Sequence, residues 1–504
     1  MKRPLVLGAL LVSLLATACG TTVQATGTQT SGDGLSPQTQ ATGSGSSTGG
    51  DLGGATGAGS SGTTGLGGGG TGATSGTSGT TGTSGTASTS GTTGAVAAGS
   101  TGAKVSGHEP IKIGFITTTV GNADQFGVNT GSSFTDRQMF DAIIGEYNAK
   151  GGIDGHRIDP VYASTDTAAS NWANEFAATC ATFTQDNHVK AVIGYIFVFL
   201  QSFESCLAKA HVPHLYGGYQ PGDVVDQAQY PTVVATGHPT VDGSYLAALD
   251  GAQRSGLITK KTKMGIIVDT CANGDRAFNR SAVPWLKSHG VSYQLVVADC
   301  AQGGTDVSSV ISVVGNSELR FASSGVDLVY APGIEMLVFM EQAQSQGYSP
   351  TYLFGSGGAA LEANAPAGQL KKLHGFGWMP VVDVGLQRQP YGQTPQQKAC
   401  IAMLTKHGLQ PKAFNDFMAA YQACDGIDLY AKALLAGGGS TDAASVVRGV
   451  TAAAPTFHGR GSYNGVLQVL SHQRGGAGKY REYAWADACS CLMYRGAPYP
   501  IPNP

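Results

Sequence analysis

Nine cysteines, a run of alternating aromatics and a few acidic residues at strand ends carry most of the chemical potential of this 504-residue chain. Cys19 stands alone near the N-terminus. The other eight fall in four neighbouring pairs, Cys180 and Cys206, Cys271 and Cys300, Cys400 and Cys424, and Cys489 and Cys491. An even cysteine set in an exported chain reads as disulfides, and sequential pairing keeps each bridge inside one local unit. Zinc is the rival chemistry, but no histidine stands at ligand spacing from these cysteines, so no metal is expected. Outside the low-complexity residues 20–107 no G-x-S-x-G elbow, H-E-x-x-H helix or P-loop is present, and His211 and His214 merely flank a strand. The chain therefore reads as a non-enzyme that needs no cofactor.

The aromatic run is "VIGYIFVFLQS", Val192 to Ser202. A buried strand would end at Gly194, yet Tyr195, Phe197 and Phe199 follow at every second position. Phe199 reads as core because a helix has begun there; Tyr195 and Phe197 remain open to a ligand.

The elements that must position these residues start after a long prelude. "MKRPLVLGALLVSLLATACG" has a basic start, an apolar run and small residues, which is an export signal too short to span a membrane stably. Its end, "LATAC", resembles a bacterial lipobox with Cys19 as the lipidated residue, although Leu15 sits one place too far upstream. Cleavage after Ala16 to Ala18 would instead release a secreted or periplasmic protein. Residues 20–107 are almost wholly Gly, Ser, Thr and Ala, and cannot bury enough apolar surface to offset their ordering entropy. They read as a disordered tether with a reach on the order of 50 Å. A tether directly after Cys19 favours the anchored outcome, at the outer face of the cell membrane. Net charge is −3 and only 12% of residues are charged, so nucleic-acid binding has no electrostatic footprint.

From His108 onward short apolar strands alternate with amphipathic helices, the signature of parallel sheets covered on both faces. "RIDPVYAS" belongs near a sheet edge because Pro160 cannot donate to a ladder. The pattern restarts after "TVVATGHP", giving a second doubly wound sheet, and Pro284 breaks or kinks its second helix.

Four stretches, "IKIGFITTTVGNADQFG", "EYNAKGGIDGHRIDPVYAS", "VKAVIG" and "AKAHVPHLYGGYQP", resemble in order and spacing the first lobe of the branched-chain amino-acid-binding type of periplasmic solute receptor. "NAKGGIDGHRI" is the most specific piece, and "EQAQSQGYSP" resembles the family's second lobe. The resemblance implies an α/β clamshell of two Rossmann-like lobes, a small-molecule ligand in the cleft, an ABC permease as partner and a monomer. It places lobe one at about 108–236 and 360–457, and lobe two at about 240–356 and 462–504. The implied crossovers are Ala235 to Thr240, Gly355 to Ala359 and Phe457 to Ser462, each with glycine. A tethered sensor that uses the same fold without transport is the alternative.

The family grips an amino-acid carboxylate with a Ser-rich loop after the third strand, where this chain has Tyr195 to Val198. Its Ala-Ala-Thr-like turn after the fourth strand becomes Gly217, Gly218 and Tyr219, and its acidic residue after lobe two's last strand corresponds to Gly357. Phe126 matches an aromatic placed against the ligand. With Tyr195, Phe197 and Tyr219 it would build a mostly apolar wall suited to a flat solute. Burying a zwitterion without a counter-charge is costly, so an ordinary α-amino acid is not the expected ligand. Asp269, Asn273 and Glu335 are the candidates from lobe two. Glu335 could equally complement a helix N-terminus.

Overall fold

The computed structural model describes residues 108–504 apart from 120–131, 167–170, 195, 197–198, 219, 301–306, 389–392, 463–467 and 471–472. The expected signal, Cys19 and the tether lie outside the described residues.

The first sheet is parallel, in the order β2-β1-β3-β4-β5. Its strands are β1 (His108–Thr119), β2 (His156–Asp166), β3 (Val192–Gly194), β4 (His214–Tyr216) and β5 (Val233–Ala235). Helices α1 (Asp136–Ala149), α2 (Trp172–Ala181), α3 (Gln201–Lys209) and α4 (Val224–Gln229) connect them. Apolar spacing puts Phe140, Ile143 and Ile144 of α1 on one buried face, and Phe140 meets Phe115 at 4.8 Å between ring centroids. Thr135 starts that helix with a capping box to Gln138. Pro160 lies opposite Ile113 on β2, the outer strand, where a missing N–H breaks no ladder.

β3 ends at Gly194, as its sequence implies. A Cβ there would stand 2.8 Å from Ile116, so only glycine lets β3 approach β1. Phe199 is core, 3% exposed and against Tyr230.

The second sheet runs β14-β13-β10-β9-β8-β6-β7. Its parallel strands are β6 (Lys263–Asp269), β7 (Ser292–Ala298), β8 (Leu328–Tyr330), β9 (Thr351–Phe354) and β10 (Leu373–Gly377). The helices of this half are α5 (Val241–Arg254), α6 (Gly274–Ala277), α7 (Val283–Ser288), α8 (Val307–Ser323), α9 (Ile334–Ser345), α10 (Gly358–Asn364) and α11 (Ala367–Leu370). Pro284 sits in the first turn of α7, directly after a π-helical turn at Phe278–Ala282. The ring that removes an N–H therefore falls where the helix changes pitch.

One boundary differs from the sequence reading. β10 falls inside 360–457, the span given to lobe one, yet it pairs with β9 in the second sheet, Leu373 beside Tyr352. The turn at Gly355 to Ala359 therefore joins two strands of one sheet and is no crossover. "LHGFG" conceals the strand because two of its five residues are glycine. Gly375 has to be one, since a Cβ would sit 1.9 Å from the Tyr483 ring.

The chain leaves the second sheet after Trp378 through α12 (Pro380–Asp383), then builds α13 (Pro395–Lys406), α14 (Phe414–Ala436) and α15 (Ala443–Ala453). α14 packs on β3 and α1, with Gly426 against Ile193. A hairpin of β11 (Gln468–Leu470) and β12 (Gln473–Gly475) then leads to β13 (Lys479–Ala486) and β14 (Cys491–Tyr494), which extend the second sheet antiparallel.

The connections between the sheets meet one another. Trp378 Nε1 donates to His238 Nδ1 at 3.2 Å, and Gly476 N–H donates to the His238 carbonyl at 3.1 Å. Gly476 packs so closely on Thr236 that a Cβ would stand 1.8 Å from its carbonyl oxygen.

Bonds join Cys180 to Cys206, Cys271 to Cys300, Cys400 to Cys424 and Cys489 to Cys491. The first ties α2 to α3 and the third ties α13 to α14.

Candidate ligand site

In open α/β sheets the carboxyl ends of the strands form the crevice that takes ligands. In the first sheet those ends lead into Ile196, Gly217, Gly218 and Gln220; in the second they are Asp269, Tyr330 and the start of α9. Gln220 Nε2 donates to Asp269 Oδ2 at 3.1 Å, so the two sets of strand ends meet through hydrogen-bonding side chains.

Asp269 closes β6 and is 4% exposed. Burial pushes its carboxyl up to about 6, against the Gln220 amide and the Cys271 N–H, with Asp275 adding repulsion. Glu335 lies in the first turn of α9, 7% exposed. Burial, then the neighbouring Asp269, drive its carboxyl well above the usual range. Tyr330 at the end of β8 and Tyr245 of α5 border the pair, edge to face at 5.9 Å, and burial raises both phenols. Glu335, kept protonated, both donates and accepts, while Asp269 beside it still carries its charge at neutral pH.

The loop after β6 is held in an unusual shape. Ala272 and Asn273 both adopt left-handed backbone, φ 47° and 57°. The Cys271–Cys300 bond and the donation from Thr270 N–H to the Ala298 carbonyl anchor the two residues just before them. This geometry sends the Asn273 amide to Asp226 Oδ2 at 2.9 Å, so that candidate holds α4.

Beside it lies a charge network that the sequence reading missed. Asp223 and Asp226 form a capping box at α4, and both face Arg276, at 2.6 Å and 2.7 Å. Arg280 reaches Asp223 at 2.9 Å and Asp242 at 2.6 Å, and Ser281 also donates to Asp242. Burial would raise the Asp223 carboxyl, but the two arginines hold it below its ordinary value. The available signal was Asp223-x-x-Asp226 at a helix start with Arg276 and Arg280 one turn apart.

Gly357 precedes α10 with φ 115°, and its N–H donates to Asp383 Oδ1 at 3.2 Å. Asp383 is buried beneath the turn, accepts from Tyr494 and Met379, and is pushed up to about 7 by burial. Gly357 thus contributes a supported turn and no charge. Gly217 follows β4, and the Gln422 side chain of α14 lies 3.2 Å from where a Cβ would be. Phe126, Tyr195, Phe197 and Tyr219 lie outside the described residues. A groove of about 330 Å³ between β2 and α2, lined by Tyr162, Ser164, Asn174 and Thr182, lies on the outer strand.

Among the described residues no cluster of His, Cys, Asp or Glu is arranged to hold a metal, and no helix is long and apolar enough to cross a membrane.

The fold resembles solved solute-binding proteins. A fatty acid ABC transporter substrate-binding protein from Thermomonospora curvata aligns at 15% identity and TM-score 0.55, covering 78% of this chain and 95% of its own. A solute-binding protein from R. palustris in complex with 4-hydroxybenzoate aligns at 19% identity and TM-score 0.55, covering 78% and 98%. A branched-chain amino acid transporter substrate-binding protein from Streptococcus pneumoniae, in complex with isoleucine, aligns at 17% and 0.52, covering 77% and 99%. A search of curated proteins finds no match. A family model described as periplasmic binding protein matches residues 110–468. With two doubly wound sheets, crossing connections and strand ends that face each other, the chain belongs to the periplasmic binding protein family and has its type I fold.

Proposed function

We propose that this chain is an extracytoplasmic receptor that captures a small organic solute, other than an ordinary α-amino acid, for an ABC importer. The observation that carries the reading is the Gln220–Asp269 hydrogen bond, which brings polar side chains of both sheets together where a clasped solute would lie. The two arginines beside the Asp269 loop are already engaged, Arg276 by Asp223 and Asp226 and Arg280 by Asp223 and Asp242, so neither offers a ligand carboxylate a spare counter-charge. Family membership supports a non-enzymatic role, an exported location and a permease partner. Lipidation at Cys19 and the tether at 20–107 would hold the receptor at the membrane face.

Two experiments test this. The melting temperature of the purified full-length chain should rise with at least one member of a panel of small aromatic acids, amides and amino acids, the amino acids being the weakest class. Silence across the panel overturns the receptor reading. Cells fed radiolabelled palmitate should label the native chain and not Cys19→Ser; equal labelling rejects the anchor.

A further inference from the structure

α14 reads as a helix buried on most faces, and one polar side chain in its first half has nothing to bond. Gln422 is 6% exposed, and neither its Oε1 nor its Nε2 has a hydrogen-bond partner among the described residues. A buried amide left unpaired is destabilising, and nearly all native ones are satisfied, so this one needs a reason.

Its position supplies one. One turn further along α14, Gly426 touches Ile193 inside β3, whereas Gln422 lies against Gly217, just past the end of β4. The start of the helix therefore runs beyond the strand ends. Asp416 there accepts from Ser133 N–H at 2.8 Å and from Ser132, in the segment that enters α1. Gly217 makes room for the amide: a Cβ at that position would stand 3.2–3.3 Å from Gln422 Oε1, Cβ and Cδ. The unpaired amide thus sits at the carboxyl end of the first sheet, in the crevice to which Gln220 and Asp269 belong.

We infer that Gln422 is a ligand contact and that the solute presents a donor beside an acceptor, as a primary carboxamide or a cyclic lactam or imide does. This rests on the receptor reading above and narrows its ligand class. Oε1 needs a donor and Nε2 needs an acceptor. A carboxylate offers two acceptors and leaves Oε1 facing an oxygen; an amidinium offers two donors and leaves Nε2 facing N–H groups. Only the mixed edge satisfies both atoms.

The probes are benzamide and nicotinamide against benzoate, nicotinate and benzamidine, with the full-length chain and melting temperature as readout. The amides should bind about tenfold or more tightly than the matched acids. Gln422→Leu should weaken amide binding about tenfold or more without lowering the melting temperature of the free chain, because it removes an unpaired buried group. Gln422→Glu, with nearly the same shape, should shift preference towards benzamidine. Equal binding of acids and amides, or amide binding unchanged in Gln422→Leu, overturns the inference. An acid or amino acid that binds wild type and Gln422→Leu alike sinks this inference and spares the receptor reading. Silence of these probes together with the wider panel sinks both.

Discussion

Asp269 and Glu335, from the end of β6 and the start of α9, are both buried, and the Asp269 carboxylate makes ionisation of Glu335 harder. Two carboxyls in this arrangement are most comfortable with at least one proton between them.

The consequence is a contribution to stability that falls as pH rises. Asp269 is raised from 3.8 to about 6 in the folded chain, so its proton favours the folded state at low pH. That contribution is fully present below about 3.8 and is lost as pH climbs through about 6, on the order of 3 kcal/mol. Asp269→Asn should flatten this part of the urea-unfolding profile between pH 4 and 7. An unchanged slope would place the titration elsewhere.

Asp223 works in the opposite sense. Its folded carboxyl lies below the ordinary value, so its contribution is present above about 3.8 and disappears as the solution is acidified through the lower folded pKa. Asp223→Ala removes the cap of α4 and strands Arg276 and Arg280 against fewer partners. Chemical denaturation at pH 7 should show a loss of about 2–4 kcal/mol, and the variant should be less sensitive to acid than wild type.

The disulfides should differ in weight. Cys400–Cys424 closes 24 residues of chain and Cys489–Cys491 only 2. Replacing both cysteines of the first pair by alanine should cost about 3–4 kcal/mol, and the second pair about half that or less. Equilibrium unfolding of the two double variants, compared directly, checks the order.

Gly375→Ala should be among the most damaging single-methyl additions. The new Cβ would lie 1.9 Å from the Tyr483 ring, itself fully buried and bonded through its hydroxyl to the Gly355 carbonyl at 2.6 Å. Neither the β10 backbone nor the ring can move without disturbing the turn before Gly357. A loss of about 1–3 kcal/mol or more is expected, read as a lower melting temperature.

Much of the fold was legible because strand and helix periods are strong local signals. The close of β3 at Gly194 and the edge position of β2 follow from glycine, proline and apolar spacing. β10 was not legible, since "LHGFG" is weak as a strand until Tyr483 of β13, more than a hundred residues later, explains why Gly375 is small. Asp269 and Glu335 could be placed at strand and helix ends, but the effect of Asp269 on Glu335 depends on the sheet order that sets β6 beside β8. Gln422 was not singled out from the sequence at all. What it faces depends on a glycine two hundred positions away.

The bond between Trp378 and His238 joins the first two connections at one point, so any rotation between the halves has to turn about that shared pivot or break the bond. Nδ1 accepts the indole proton only while the imidazole is neutral, and burial lowers its pKa to about 3. Acidification from neutral pH therefore leaves the pivot in place. The penalty appears instead in the unfolded chain, which takes up a proton near 6.5 that the folded chain refuses, so acid weakens the whole fold before it alters how the halves swing.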